Sequence, residues 1–418
     1  MRQHERATLR VCSYSHNTIA MSSLYAILIS HQPNKGAAMV SRSPFRFWLL
    51  LVFSLWLATA CGQPSGGSIT PPPSTPHAEL RALLETYLDA DDPGVVLFVG
   101  DREESHVAAY GLADIDAGIP IRTQDYFRIG STSKPMVSAA LLTFVEAGAI
   151  ALNDRIADYL PADIVRKVAN ADRATVRQML QMTSGIPEYL DSDAFWEGVE
   201  ATPRKFWTPA ELMDFIDGEP ADFAPGSDYG YSNSNYILAQ IIIESLSGQP
   251  LAAVLEQTIF SPAGMDSCYL ETSATFGMNI VRGYDLDDDD NLIDVTEIND
   301  GVGLGDGGVV CTVSSLVRFL PALLAGDILG AAMLDAMLES VPNSEGAPYG
   351  LGIAVQTDSE FGFGELGFMV GHDGATSGFQ TVLIYLPDEA LSVAALSNFV
   401  ESDVLEDIVG EALEWWFE

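Results

Sequence analysis

A serine and a lysine three positions apart stand in the segment FRIGSTSKPMVSAALL. Gly130 permits a tight turn before Ser131, and Pro135, directly after Lys134, is tolerated in the first turn of a helix. Residues three apart on a helix share a face, so the serine hydroxyl would lie beside the amine, at the positive end of the helix dipole. This spacing predicts an activated serine nucleophile. A helix-capping serine with a solvated lysine would give the same pattern.

A second polar segment is FAPGSDYGYSNSNYILAQ, which contains Tyr231, Ser232 and Asn233. Side chains at positions i and i+2 of an extended or turn segment project to the same side, so Tyr231 and Asn233 would face one cleft. A phenol can relay a proton, and an amide can hold a substrate carbonyl. The alternative is a polar loop in which Ser232 or Asn233 caps the following helix.

The third segment is FMVGHDGATSGF, a predicted strand that carries His372, Asp373, Gly374 and Ala375. Because side chains alternate along a strand, His372 can face a cleft, while the glycines let a substrate backbone approach closely. The main-chain N–H of Ala375 could then pair with that of Ser131 as an oxyanion hole. A structural histidine on the strand is the alternative.

Several regular elements must position these segments. Helical spacing of apolar residues over 77–90 precedes two predicted strands, GVVLFVGD and HVAAYGLAD. The spacing of apolar residues over 131–262 predicts mostly helices. The last hundred residues return to strands, YGLGIAVQT, FMVGHDG, FQTVLIYLP and LSVAALSNF, before an amphipathic helix, DVLEDIVGEALEWWF. Strand-rich ends around a helical insertion predict two lobes with a cleft between them.

In this order and with these separations, the three motifs resemble the serine penicillin-recognising enzymes. They are most similar to the group of class C β-lactamases and D-alanyl-D-alanine carboxypeptidases with its esterase and D-aminopeptidase relatives. Further segments resemble landmarks of that group, including LNDRIADYLP, RQMLQMTSGIP, IFSPAGM and GGVVCTVSSLVRFL, and the resemblance covers about residues 80–415. It implies an α/β (α+β) fold, with an antiparallel sheet flanked by helices and an inserted all-α lobe.

The resemblance also implies catalytic roles. Ser131 would be the acylated nucleophile, and Lys134 would assist its deprotonation. Tyr231 would be the partner base and then the acid for the leaving group, and His372 would occupy the position of the basic residue in the third motif. Acylation followed by hydrolysis of the acyl-enzyme divides one difficult step into two. The group uses neither a metal nor another cofactor.

Substrate-binding roles follow from the same resemblance. Asn233 would orient a substrate amide, while Gly374 and Ala375 would border the oxyanion site. The expected substrate is a small molecule or peptide with an ester, an amide or a D-amino-acid peptide bond. The rivals are a D-Ala-D-Ala carboxypeptidase, a class C-like β-lactamase, and a non-catalytic scaffold of the penicillin-binding type.

Two residues depart from the pattern of that group. Met182 stands before TSG, where many relatives carry histidine, and we expect it to affect helix packing only. Asp373 occupies the middle of the third motif, where penicillin-type substrates place their carboxylate and Ser, Thr or Gly is usual. Two carboxylates at close range repel by roughly 1 to 4 kcal/mol. Unless Asp373 points away from the cleft, it therefore favours an ester or a neutral amide over a carboxylate-bearing substrate.

Composition excludes several other classes of protein. The 418 residues carry a formal charge of −38 with 48% apolar residues, which predicts a globular chain that repels nucleic acid. The six histidines form no HExxH or paired Cys/His spacing, so no metal site is predicted. The acidic segment DLDDDDNLID lacks the glycine and glutamate of a calcium-binding EF-hand, and a hairpin turn is expected there.

The N-terminal region predicts export and lipid anchoring. FWLLLVFSLWLATA, residues 47–60, follows basic residues and ends in small residues before Cys61, which is typical of the signal peptide of a lipoprotein. Plain secretion and a short uncleaved anchor are the alternatives. We therefore expect an extracytoplasmic protein of the cell envelope, bound to a membrane only through a lipid on Cys61. Outside a reducing cytosol, Cys268 and Cys311 could form a disulfide, or remain two buried thiols.

Four segments are predicted along the chain. Residues 1–38 look like an over-extended start, and residues 39–60 form the signal peptide. Residues 61–76 contain the lipidated cysteine and a Pro/Gly/Ser-rich linker, and residues 77–418 form the catalytic domain.

Overall fold

A computed structural model describes residues 75–287, 289–343, 347–356, 367–400 and 404–418. The predicted signal peptide, the lipidation site at Cys61 and most of the predicted linker lie outside the described residues.

Fourteen strands occur in the described parts of the chain. They are β1 (Thr75–Pro76), β2 (Val95–Gly100), β3 (Ser105–Tyr110), β4 (Leu112–Asp114), β5 (Ile119–Pro120), β6 (Phe127–Arg128), β7 (Cys268–Leu270), β8 (Tyr284–Leu286), β9 (Leu292–Asp294), β10 (Val309–Cys311), β11 (Ala354–Gln356), β12 (Met369–Thr376), β13 (Phe379–Leu386) and β14 (Leu391–Ser397).

The α-helices of the same parts are mostly short and lie between β6 and β11. They are α1 (Ala78–Tyr87), α2 (Lys134–Glu146), α3 (Ala162–Lys167), α4 (Val176–Leu180), α5 (Asp193–Ala201), α6 (Pro209–Asp214), α7 (Ser234–Ser247), α8 (Leu251–Leu255), α9 (Ser261–Ala263), α10 (Val313–Leu316), α11 (Phe319–Ala325), α12 (Ala331–Leu338) and α13 (Val404–Phe417). Short 3₁₀ turns occur at Gly130–Ser133, Ile156–Asp158 and Tyr189–Asp191, and a π turn at Glu256–Phe260.

A seven-stranded sheet in the order β1-β3-β2-β14-β13-β12-β11 joins the two ends of the chain. Its pairings are antiparallel except for β1 with β3. Because β2 pairs with β14, the N-terminal strands extend a sheet whose other strands come from the last seventy residues of the chain. The helical segment lies between these contributions, which confirms the predicted antiparallel sheet with an inserted α-rich lobe.

Two hydrophobic cores lie on opposite faces of this sheet. Along β2, Val95, Leu97 and Val99 pack with α1 and α13, whereas Val96 and Phe98 pack with the helical lobe. The strand is buried on both faces, so its sequence is a continuous apolar run.

Within the described ranges, no single helix is long and apolar enough to cross a bilayer. Only α7 together with Leu251–Ala263 has the necessary length and apolar composition, and these two helices are bent by 78° relative to each other.

A smaller sheet, in the order β6-β10-β7, supports the segment before Ser131. A disulfide joins Cys268 in β7 to Cys311 in β10, so the disulfide alternative is confirmed. In β6, Arg128 Nε lies 2.8 Å from Glu271 Oε2, and both side chains are buried. The chain leaves this cross-linked sheet at Arg128, three residues before the predicted nucleophile.

Most predicted elements are found, and three boundaries differ. Thr75 and Pro76, placed in the linker, pair with β3, because backbone pairing needs no apolar side-chain pattern. Only Ala354–Gln356 of the predicted strand YGLGIAVQT is paired in β11, since turns with positive φ at Gly352 interrupt the segment before it. The predicted strand HVAAYGLAD divides into β3 and β4 at Gly111. The acidic segment forms the expected hairpin, β8 with β9.

Candidate active site

The predicted nucleophile lies on a tight turn at the start of a buried helix. Residues Gly130–Ser133 form a 3₁₀ turn that continues into α2 at Lys134. Gly130 has φ +50°, and a Cβ there would lie 2.6 Å from the carbonyl oxygen of Ala375. Only glycine therefore allows the turn to approach β12 so closely. Ser131 itself remains partly exposed.

Lys134 is fully buried, and its amine is surrounded by oxygen acceptors. Its Nζ lies 2.8 Å from Ser131 Oγ, 2.6 Å from Asn233 Oδ1 and 2.6 Å from the carbonyl oxygen of Asp306. Burial lowers the pKa of Lys134 to about 8, against the opposing effect of nearby carboxylates. A substantial neutral fraction near physiological pH lets this amine accept a proton from Ser131.

Tyr231 and Asn233 come from the loop before α7 and reach the same point. The phenol of Tyr231 lies close enough to Ser131 to interact with its side chain, and Lys134 Nζ lies 5.1 Å from the centroid of the Tyr231 ring. Burial raises the pKa of Tyr231 well above its usual value, so it stays a neutral phenol. The structure thus brings Ser131, Lys134, Tyr231 and Asn233 together as the sequence predicted.

Glu188 holds Asn233 in place. Its carboxylate accepts hydrogen bonds from the backbone N–H and the side-chain amide of Asn233, the latter at 3.0 Å, and from the backbone N–H of Leu190 at 2.9 Å. Burial raises the pKa of Glu188 to about 7. The Asn233 amide must therefore direct its oxygen to Lys134 and its nitrogen to Glu188, which fixes the orientation of the side chain.

Met182 supports the same loop. It is buried with φ +59°, its carbonyl oxygen accepts the N–H of Gly230, and its sulfur lies 3.5 Å from the backbone nitrogen of Ser232. The expectation that Met182 affects helix packing only is therefore wrong, because the residue contacts the segment that presents Tyr231 and Asn233.

Strand β12 forms the opposite wall of the site. A Cβ at Gly374 would lie 2.2 Å from the carbonyl oxygen of Ile129 and 2.8 Å from the backbone nitrogen of Ser131. Gly374 thus brings the strand against the nucleophile turn and places Ala375 beside it. Among the described residues, β11 pairs with positions 369–371 of β12 and with none of the positions after them.

The structure decides the orientation of Asp373, which the sequence left open, and differs from the expectation for His372. His372 is 3% exposed and is not among the described residues that line the cleft; its Nε2 lies 2.9 Å from the hydroxyl of Tyr349. Burial lowers the pKa of His372 to about 3, so the imidazole is neutral. Asp373, not His372, lines the cleft. The expectation that His372 faces the cleft is not met, because the helical lobe, with Tyr349, covers it.

Two further acidic residues of the cleft, besides Glu188, have raised pKa values. Burial raises the pKa of Asp373 to about 7 and that of Asp306 to about 6. Asp306 Oδ2 accepts a hydrogen bond of 2.7 Å from the hydroxyl of Tyr189. Apolar wall residues Leu190, Trp196 and Val302 complete a cleft in which these polar groups surround Ser131.

The analysis of the sequence missed Glu188, Asp306 and Tyr349. Two of them adjoin a family landmark, since Glu188 follows TSGIP and Asp306 precedes GGVV, whereas Tyr349 opens the predicted strand YGLGIAVQT. A single carboxylate or phenol in a loop gives no periodic signal, so only its position beside a landmark could have drawn attention to it.

A serine hydroxyl within hydrogen-bond distance of a buried amine, with a phenol beside them in a cleft, is the arrangement of a serine hydrolase that works through an acyl-enzyme. The chain belongs to the Beta-lactamase family, whose model matches residues 80–413. It is therefore a serine hydrolase of the β-lactamase-related type.

Individual relatives agree with this assignment. The chain is 27% identical over 354 residues to penicillin-binding protein 4* of Bacillus subtilis, covering 80% of this chain and 74% of that protein. It is 28% identical over 310 residues to a D-aminopeptidase of Brucella anthropi, covering 73% of this chain but only 56% of that protein. The crystal structure of a D-stereospecific amidohydrolase from Streptomyces is similar with a TM-score of 0.67 and 26% identity, covering 78% of this chain and 94% of that one.

Proposed function

We propose that this protein hydrolyses an ester, an amide or a D-amino-acid peptide bond through a covalent acyl-enzyme on Ser131. The observation that carries the proposal is the distance of 2.8 Å between Lys134 Nζ and Ser131 Oγ. The amine is buried, and burial lowers its pKa to about 8, so it can act as a base towards the hydroxyl.

In the acylation step, Ser131 Oγ attacks the carbonyl carbon while its proton passes to the neutral amine of Lys134. The raised pKa of Tyr231 favours a phenol that relays protons over a phenolate that removes one. Tyr231 donates its proton to the leaving alcohol or amine as the bond to carbon breaks, and regains one from Lys134. The N–H groups of Ser131 and Ala375 stabilise the oxyanion, and water then hydrolyses the acyl-enzyme.

The placement of Asp373 bears on the choice between substrates. Its carboxyl lines the cleft beside the predicted oxyanion site, where it would repel a substrate carboxylate at that position. This favours an ester or a neutral amide over the carboxylate-bearing substrates of β-lactamases and D-Ala-D-Ala carboxypeptidases. The names of the D-aminopeptidase and the D-stereospecific amidohydrolase above are consistent with amide and D-peptide bonds.

Intact-mass spectrometry after exposure to a fluorophosphonate tests the nucleophile. We expect one adduct on the unmodified protein and on Ser227→Ala, which removes an exposed serine, and none on Ser131→Ala. The same measurement with a panel of esters, D-amino-acid amides and penicillins reports which acyl group accumulates. A non-catalytic scaffold would show no adduct in any variant, and that result would refute the proposal.

We also propose that the chain is an envelope lipoprotein anchored through Cys61. The disulfide between Cys268 and Cys311 supports an oxidising compartment outside the cytosol. Metabolic labelling with a fatty acid in a bacterial host, compared between the unmodified chain and Cys61→Ser, tests the anchor. Label that remains on Cys61→Ser, or that is absent from both, contradicts it.

A further inference from the structure

We propose that Asp306 is the general base of deacylation: its Oδ1 binds a water molecule and removes a proton from it as the water attacks the acyl-enzyme on Ser131. The inference rests on the proposed function, since it assigns a further catalytic residue to the second step of the same reaction. Lys134 and Tyr231 serve the acylation step, and the attacking water needs a base as well.

Asp306 lies beside the nucleophile turn. Its main-chain oxygen accepts a hydrogen bond of 2.6 Å from Lys134 Nζ, the same atom that lies 2.8 Å from Ser131 Oγ. The next residue, Gly307, packs against the turn, since a Cβ at this position would lie 3.5 Å from the Cα of Gly130. Asp306 and Ser131 also line the same cleft. These contacts hold Asp306 among the residues that surround the nucleophile.

One oxygen of the Asp306 carboxylate is held by the protein, and the other is available to a ligand. The hydroxyl of Tyr189 donates a hydrogen bond of 2.7 Å to Oδ2. Oδ1 has no hydrogen-bond partner among the described residues, although Asp306 is only 6% exposed. A buried acceptor without a donor is unfavourable, and a water molecule supplies the donor that such a group lacks. Tyr189 therefore fixes the orientation of the carboxylate, and Oδ1 is suited to bind one water in the cleft.

The other carboxylates that line the cleft are less suited to this role. Glu188 accepts three N–H groups, and Asp300 accepts two hydroxyls and one backbone N–H. Both have little remaining capacity for a ligand. Asp373 is partly exposed and lies on β12, away from the amine of Lys134 that the main chain of Asp306 contacts. Among the described residues of the cleft, only Asp306 has a buried carboxylate oxygen without a partner.

The surroundings of Asp306 give its carboxylate a suitable basicity. Burial raises the pKa of Asp306 to about 6, against the opposing effects of the Lys134 charge and of the hydrogen bond from Tyr189. At neutral pH the group is therefore mostly ionised, yet it binds a proton more strongly than an ordinary aspartate does. The other titratable groups that act on it are the carboxylates of Glu188 and Asp300.

In deacylation, the water gives one proton to Asp306 Oδ1 while its oxygen forms a bond to the acyl carbon. The bond from this carbon to Ser131 Oγ breaks, its electron pair stays on Oγ, and Oγ takes a proton from the ammonium of Lys134. The proton on Asp306 then passes to Lys134, which restores both groups. Lys134 is present as the ammonium because, below its pKa of about 8, the amine regains a proton from solvent after acylation.

Two measurements on Asp306→Asn separate acylation from deacylation. The substrate is the p-nitrophenyl ester that the unmodified protein hydrolyses fastest. The burst of p-nitrophenol reports acylation, and the decay of the acyl-enzyme after removal of the ester, followed by intact mass, reports deacylation. An asparagine still accepts the hydroxyl of Tyr189 but cannot take a proton from water. We expect the burst rate to stay within about fivefold and deacylation to slow by at least about a hundredfold.

Hydroxylamine distinguishes a base from a residue that only supports the fold. Unlike water, neutral hydroxylamine attacks an ester without prior removal of a proton, so its reaction does not need the carboxylate of Asp306. We expect it to bring the decay of the Asp306→Asn acyl-enzyme to within about tenfold of the unmodified protein, with the hydroxamate as product. A slow decay that hydroxylamine does not accelerate would show a distorted site and would overturn the inference.

The matched control is Asp327→Asn, which removes the same charge from an exposed residue between α11 and α12. Burst and decay should both stay as in the unmodified protein, and a decay that slows equally in this variant would show an effect of total charge. The same measurement on Asp373→Asn examines the other carboxylate that is open to solvent. Accumulation of the acyl-enzyme in Asp373→Asn but not in Asp306→Asn would assign the base to β12 and overturn the inference.

The pH dependence of deacylation provides a test on the unmodified protein, which covers the case in which Asp306→Asn does not fold. Because Asp306 must be ionised, the decay of the acyl-enzyme should accelerate about tenfold per pH unit below about pH 6 and level off above it. A decay that is independent of pH in this range would overturn the inference.

Fluorophosphonate labelling in the same samples separates this inference from the proposed function. If Ser131 is labelled but Asp306→Asn deacylates at the rate of the unmodified protein, or if the unmodified protein deacylates with no ester, the base is refuted while the nucleophile stands. If Ser131 is not labelled in the unmodified protein, the proposed function itself fails, and this inference with it.

Discussion

His372 Nε2 lies 2.9 Å from the hydroxyl oxygen of Tyr349, and the ring of Tyr349 lies 6.5 Å from that of Tyr231. The Nδ1 of His372 faces the carbonyl oxygen of Asp373, which can only accept, so Nδ1 carries the proton and Nε2 accepts the proton of the Tyr349 hydroxyl. The imidazole therefore contacts a second phenol rather than the cleft. We expect His372 to be a positioning residue.

Replacing His372 with Gln should separate positioning from acid–base chemistry. We expect His372→Gln to lower kcat/KM by about tenfold, because Tyr349 and then Tyr231 lose their fixed positions. The pH profile should keep its shape, since burial already lowers the pKa of His372 to about 3 and the imidazole does not titrate near neutral pH. A profile whose acidic limb moves in His372→Gln would show that the imidazole itself transfers the proton.

The acylation rate should depend on the protonation of Lys134. Burial lowers the pKa of this amine to about 8, so the neutral, basic form grows as the pH rises towards that value. We expect the rate of fluorophosphonate labelling to rise about tenfold per pH unit below pH 7 and to level off above about pH 8. Lys134→Arg, which stays charged, should lose at least about a hundredfold, whereas the partly exposed Lys205→Arg should not change. A rate independent of pH contradicts this assignment.

Tyr231→Phe should impair the chemical step without unfolding the protein. The substitution keeps the ring, which packs against the main core, and removes only the hydroxyl that interacts with Ser131. We expect kcat to fall by about 10² to 10⁴ with little change in thermal midpoint. Tyr229→Phe, on the same loop, is the matched control and should retain most activity. Comparable losses in the two variants would mean that the loop as a whole, rather than the Tyr231 hydroxyl, supports catalysis.

Asp373→Asn should stabilise the protein at neutral pH. Burial raises the pKa of Asp373 to about 7 in the folded protein, above the ordinary value near 3.9 of an unfolded chain. A carboxyl whose pKa is raised by folding binds its proton more tightly in the native state than in the unfolded state. It therefore does not lower the free energy of unfolding below about pH 4, and it lowers this free energy to the full extent above about pH 7. We expect a gain of roughly 1 to 3 kcal/mol in the free energy of unfolding at pH 8 and none at pH 4. Equal gains at both values contradict the assignment.

The disulfide should contribute measurably to stability. Cys268 and Cys311 are separated by 43 residues and join β7 to β10, beside the strand that leads to the nucleophile turn. Replacing both with serine should lower the free energy of unfolding by about 2 to 4 kcal/mol in denaturant titrations. Treatment of the unmodified protein with a reductant should have a similar effect, and should leave the double variant unchanged. If the double variant unfolds at the same denaturant concentration as the unmodified protein, the disulfide does not contribute to stability.

Much of this protein follows from the sequence alone. The three motifs identified Ser131, Lys134, Tyr231 and Asn233, because each carries its own local geometry: a glycine turn, a helical spacing and a polar loop before a helix. Apolar periodicity likewise predicted the terminal strands and the helical lobe. These signals are short-range, since they depend on residues within one or two turns of each other.

Only the tertiary structure decided the pairing of distant groups. The burial of Glu188 and Asp306 beside Lys134, and the ion pair of Arg128 with Glu271, join residues that lie far apart along the chain. The roles of His372 and Asp373 also depended on what covers each face of β12: Tyr349 encloses the imidazole, and the cleft receives the carboxylate. Because side chains alternate along a strand, His372 and Asp373 must point to opposite faces of β12. Which of the two lines the cleft depends on the packing of elements from other parts of the chain.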